Sequence, residues 1–153
     1  MGFVCQGRYA LAPIEPTDAE KYVNLQLDCM EQTYDPIYFD TLGESFTARH
    51  RAERNEYLED FHRHLSSPTV RGFFAYEVPG WTPDGGLSCS IGARIDWDKP
   101  VGLALSLCEP SSWELERADN LPELPAGTRK LVHLYTLNHM HGTGLGQALY
   151  ESV

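Results

Sequence analysis

Apolar positions along the chain alternate between two periods. Residues 8–14 form a short half-apolar run ending near Pro16, which predicts a strand. Behind it Ala19, Tyr22, Val23, Leu27, Met30 and Tyr34 recur at three- and four-residue steps, the spacing of one helical face. Thr17-Asp18-Ala19-Glu20 has the form of a capping box, with Thr17 as N-cap and Glu20 reaching back. Asp35-Pro36 is the expected stop, because the residue before a proline avoids helical angles. A second stripe, Phe46, His50, Tyr57, Leu58, Phe61 and Leu65, predicts a helix over residues 44–65. Its opposite face is charged and suits i,i+4 pairs in water.

From there the pattern turns to strands. Residues 70–78 are rich in aromatic and β-branched side chains, residues 87–97 are read as a strand, and residues 101–108 are almost wholly apolar. Asp98-Lys99-Pro100 makes a tight turn between the last two, so an antiparallel meander follows. Residues 79–86 are a loop by their Pro and Gly content. Residues 109–128 are a long polar connection with Pro110, Pro122 and Pro125 and an acidic bias, and Trp113 lies within it. Residues 131–137 form a strong strand. A Gly-rich turn over 141–146 follows, and then a helix carrying Leu145, Ala148, Leu149 and Ser152 on one face.

Composition narrows the class. The 153 residues suit one domain with a real core, and 42% hydrophobic with 22% charged residues is ordinary for a globular chain. A net charge of −10 argues against nucleic acid, whose phosphates repel such a surface, and is compatible with a cationic partner. No apolar run approaches membrane-spanning length, and the N-terminus lacks the features of a signal peptide, so a cytoplasmic location with no membrane partner is expected. Cys5, Cys29, Cys89 and Cys108 show no CxxC spacing and read as reduced thiols.

The chemistry concentrates in His141-Gly142-Thr143-Gly144-Leu145-Gly146. A strand, a Gly-rich turn and a helix point several unpaired backbone N–H groups at one spot, at the positive end of the helix dipole. Glycines keep Cβ atoms out of a phosphate's approach. The run is not a P-loop, because no Lys-Ser/Thr follows the last glycine, and it is not a dinucleotide fingerprint at a first βα turn. Two His-x-His pairs, His62 with His64 and His139 with His141, raise a metal site as an alternative. Residues i and i+2 of a helix face different ways, and the second pair falls in the phosphate turn, so no metal is expected.

The longer run from Leu134 to Leu149 resembles motif A of the GNAT (Gcn5-related N-acetyltransferase) superfamily: a strand, Gln/Arg-x-x-Gly-x-Gly/Ala, then an amphipathic helix. His141 stands where the family usually has Gln or Arg, and Gly144 and Gly146 match the two small positions. Lys99-Pro100-Val101-Gly102-Leu103-Ala104 resembles the opening of the family's third strand. The resemblance implies an α+β fold with a mixed, mostly antiparallel sheet flanked by helices. It also implies an acetyl-CoA-dependent N-acetyltransferase in which a primary amine attacks the thioester directly. By position, Tyr135, Thr136 and Leu137 would pair with the pantetheine arm. An amide at Thr136 or Leu137 would polarise the thioester carbonyl. Backbone groups from His141 through Gly142, Thr143, Gly144, Leu145 and Gly146 to Gln147 would hold the pyrophosphate. His133, Tyr135 and Glu77 are the candidate proton-transfer groups, and the acceptor would be a small-molecule or peptide amine.

The family's motif-A helix is normally followed by a strand, a helix and two more strands, and this sequence stops at Val153. The expectation is therefore a domain cut short after the motif-A helix. A bare strand edge and helix stripe would be costly, which favours a homodimer in which a second copy covers them. A non-catalytic acyl-CoA-binding module, or a truncated remnant of the family, is the alternative reading.

Overall fold

The computed structural model describes residues 2–83, 94–110, 114 and 124–153. Five strands form one sheet in the order β1-β2-β3-β4-β5, and every neighbouring pair is antiparallel. They are β1 (Val4–Gln6), β2 (Tyr9–Pro13), β3 (Arg71–Glu77), β4 (Gly102–Leu107) and β5 (Lys130–Thr136). Between β2 and β3 run α1 (Ala19–Leu42), α2 (Phe46–Ala52) and α3 (Arg54–Leu65), and α4 (Leu145–Ser152) follows β5. The α+β expectation, with a mostly antiparallel sheet flanked by helices, agrees with this architecture. Among the described residues no helix is long and apolar enough to cross a membrane.

Strand alternation sorts the core into two layers. Ala10, Ala12, Phe74, Tyr76, Leu103 and Leu105 meet Tyr22, Val23, Leu27 and Phe61 on the α1–α3 side. Tyr9, Leu11, Ala75 and Ala104 meet Leu145 and Leu149 of α4 on the other. The α4 side is thin because the helix lies almost on the backbone. A Cβ at Gly102 would come within 2.9 Å of Leu149 Cδ1 and 3.1 Å of Leu145 Cδ2, so glycine there permits the close approach.

Four expectations change. The first helix does not stop at Asp35-Pro36; α1 continues to Leu42 and ends on Gly43 in the left-handed conformation. Pro36 is tolerated because the carbonyl it cannot bond, that of Gln32, receives Asn138 Nδ2 at 3.3 Å instead. Asp35 is likewise not a stop. Its carboxylate accepts Thr47 N–H and Ser45 Oγ, each at 2.8 Å, and so organises the start of α2.

Thr17 is not the cap. Pro16 opens a 3-10 turn one residue earlier, and Asp18 accepts the Glu15 N–H at 2.8 Å. The helix over 44–65 is two helices meeting at Glu53. No Pro or Gly marks the break. Arg51 and Arg54, on either side of it, pair with Glu31 and Glu20 of α1, so the division follows from packing against α1. Finally, β3 pairs directly with β4, and residues 94–97 are not strand; residues 87–93 of the expected strand lie outside the described residues. Cys89, Trp113 and most of the 109–128 connection also lie outside them.

Candidate active site

The strand β5 ends the sheet, so among the described residues one of its edges has no neighbour. Its register with β4 slips between Leu105–His133 and Ser106–Leu131, leaving Val132 as an extra residue in a bulge. Beyond β5 the Leu137 amide donates to the Val101 carbonyl at 3.0 Å. Backbone N–H groups of a strand alternate between its two edges, so the Tyr135 amide also faces β4 and the Thr136 amide faces the open edge. Of the two amides expected to polarise a carbonyl, Leu137's is thus already engaged, and Thr136's is the one directed outward.

The turn after β5 is anchored on both sides. Asn138 donates its N–H to Gln32 Oε1 at 2.8 Å, which ties the short Asn138–Met140 turn to α1. Thr143 donates both its amide (3.3 Å) and its hydroxyl (2.6 Å) to the Met140 carbonyl, and Tyr9 donates its hydroxyl to the Thr143 carbonyl at 2.7 Å. Gly142 and Gly144 take φ of 76° and 87°, a region costly for any residue with a Cβ. The α4 N-terminus begins at Gly144 with no side-chain cap, and its first internal bond is Ala148 N–H to Gly144 O at 3.1 Å. A Ser, Thr or Asp there would occupy first-turn donors. Without one, the amides of Gly142, Gly144, Leu145, Gly146 and Gln147 have no acceptor among the described residues. Such a concave set of donors suits an anionic group.

Beside the open edge lies a cleft of about 190 Å³ lined by Cys29, Thr33 and Tyr34 of α1, Leu134, Tyr135 and Thr136 of β5, and His141. Burial, and secondarily Asp28, pushes the Cys29 thiol up to about 12, so it is no nucleophile at neutral pH. Burial also raises the Tyr135 phenol against a counteracting hydrogen bond to Gln26. A larger cleft of about 700 Å³ is lined by Leu137, His139 and Glu77, and Glu77 lies 3.5 Å from both Arg8 and His139.

His133 is not at the cleft. It points into the α1–α3 layer, where the Tyr22 hydroxyl lies 2.6 Å from its Nδ1 and the His64 ring packs edge-on with centroids 5.7 Å apart. Burial, reinforced by His64, holds its pKa down at about 4, while burial raises Tyr22 well above the ordinary phenol range. Tyr22 is therefore the donor to a neutral imidazole, and the pair is structural. His133 was a candidate proton-transfer group by residue type and by its place in this strand; its side chain faces the α1–α3 layer rather than the cleft. The other histidines are dispersed: His62 is exposed, His64 turns inward, and His139 and His141 flank Met140 on different clefts. Among the described residues no three His, Cys, Asp or Glu side chains gather.

Sequence reasoning missed Tyr9, Gln32, Cys29 and Thr33. Nothing local marks them, since each reaches the site from a distant segment. Tyr34 appeared only as the last member of a core stripe, yet it is 40% exposed and lines the cleft.

No family model matches the chain, and no curated protein matches it. Among solved structures, AAC(6')-Iy in complex with the bisubstrate analog CoA-S-monomethyl-acetylneamine is similar over 94% of this chain and 67% of that chain, at 13% identity and a TM-score of 0.48.

Proposed function

We propose that the chain is an acetyl-CoA-dependent N-acetyltransferase of the GNAT type. The observation that carries this reading is the continuity of three features among the described residues: uncapped amides at the α4 N-terminus, an open β5 edge, and a cleft beside that edge. A ligand with a pyrophosphate at one end, an amide-bearing arm and a thioester at the other would use all three. The amides from Gly142 to Gln147 would take the pyrophosphate. The arm would pair along the outward groups of Leu134 and Thr136. The Thr136 N–H would then donate to the thioester oxygen as charge develops there.

The amine nitrogen forms a bond to the acetyl carbon and the carbon–sulfur bond breaks. The electron pair leaves with the CoA thiolate, and the amine sheds a proton. His141, the exposed imidazole lining this cleft, would take that proton, whereas His133 faces the α1–α3 layer. The acceptor is proposed to be a small-molecule or peptide amine.

Calorimetry with acetyl-CoA, using ATP as the control nucleotide, tests the reading. Micromolar binding of acetyl-CoA but not ATP is the expected result. A folded protein that binds neither removes the enzyme assignment, and binding without transfer to a panel of amines converts it to a non-catalytic acyl-CoA module.

A further inference from the structure

We propose that Tyr9 is the positioning residue of the Gly-rich turn: its hydroxyl selects the peptide orientation that aims the Gly144 amide outward. The ligand side of this inference rests on the acetyl-CoA reading above.

The argument begins with the peptide unit. A trans peptide is planar, and its C=O and N–H point in opposite directions. The Thr143 carbonyl and the Gly144 N–H belong to one such unit. Tyr9 holds that carbonyl toward the sheet at 2.7 Å, so the Gly144 N–H is turned away from the sheet, toward the other uncapped amides.

This unit needs a determinant. It lies between Gly142 and Gly144, both in the left-handed region, and a peptide beside such glycines can flip at low cost. The Thr143 amide and hydroxyl are both bonded to Met140, which fixes one side of Thr143 only. The side that carries the Gly144 N–H is set by the bond from Tyr9.

Tyr9 is built for such a task. Its backbone is paired with Gln6 on one side and Glu77 on the other, and the residue is 5% exposed within the thin α4 layer. The hydroxyl is thus mounted on a rigid strand, 134 residues away in sequence from the group it holds. A phenylalanine would keep the packing and lose the selection.

The test is Tyr9→Phe, read in two ways. In the ligand-free protein, the Gly144 amide resonance should shift or broaden, and its hydrogen exchange should change, while distant amides stay put. In binding, affinity for acetyl-CoA should fall about tenfold, the equivalent of one hydrogen bond in the bound network, while affinity for S-acetylpantetheine, which lacks the pyrophosphate, stays unchanged. An unmoved Gly144 resonance, or equal losses for the two ligands, overturns the inference. If wild-type protein binds no acetyl-CoA, the proposed function fails, and the Gly144 resonance still decides the role of Tyr9.

Discussion

Two tyrosine hydroxyls, one on each face of the sheet, make short bonds toward the β5 region and have opposite consequences. Tyr22, from the thick α1–α3 layer, donates to His133 and closes off the strand's inward side. Tyr9, from the thin α4 layer, donates to Thr143, and the neighbouring amides have no acceptor among the described residues. The first bond spends a donor on a buried acceptor that would otherwise go without one. The second spends a donor on a carbonyl so that other donors face outward. The α1–α3 face of the sheet therefore carries a buried structural bond, and the α4 face lies beside the amides that the proposed ligand would use.

The largest expected effect breaks the closed side by pH. His133 is held at about 4 in the fold against an ordinary 6.5, so the unfolded chain binds a proton that the folded chain refuses between those values. Stability is complete above pH 6.5 and is lost as pH falls toward 4. Between pH 7 and pH 5 the loss should be about 2 kcal/mol from this group. His64, also lowered chiefly by burial, adds in the same direction. Urea midpoints at the two pH values check this, and His133→Gln, which keeps an acceptor for Tyr22 without titrating, should flatten the difference.

Tyr22→Phe sharpens the contrast. It leaves the His133 Nδ1 without its donor and should cost about 1–3 kcal/mol in urea unfolding at pH 7. Acetyl-CoA affinity of the folded variant should stay at the wild-type value, the reverse of what Tyr9→Phe should do. If Tyr22→Phe weakens binding as much as Tyr9→Phe does, the two faces are not independent.

What was legible in the sequence follows the same division. Periodicity located β2 to β5, α4 and the first two thirds of α1, because a strand or helix face is a local property of spacing. The Gly-rich turn was legible because glycines at positive φ are a local demand. The orientation of His133 was not legible because alternation states that a residue faces a side, but not which side packs under three helices. Tyr9 and Gln32 were silent because one hydroxyl and one amide reaching across more than a hundred residues leave no periodic trace. Pro36 was read by its usual local effect, while its actual part depends on a partner arriving from residue 138.

That partner supplies the smallest expected effect. Pro36 leaves the Gln32 carbonyl open, and Asn138 fills it from the turn that precedes the uncapped amides. The contact is exposed, so Asn138→Ala should cost less than about 1 kcal/mol, with the Asn138 backbone bond to Gln32 Oε1 retained. Pro36→Ala restores a helix N–H that competes for the same carbonyl. If Asn138 and residue 36 share one acceptor, Asn138→Ala should cost less in a Pro36→Ala background than alone. The coupling expected across that cycle is about 0.5 kcal/mol, measured by thermal unfolding of the four proteins. Additive behaviour would mean that α1 passes Pro36 without help from the turn. Among the described residues, the hydrogen-bonded tie between α1 and the turn would then rest on Gln32 Oε1.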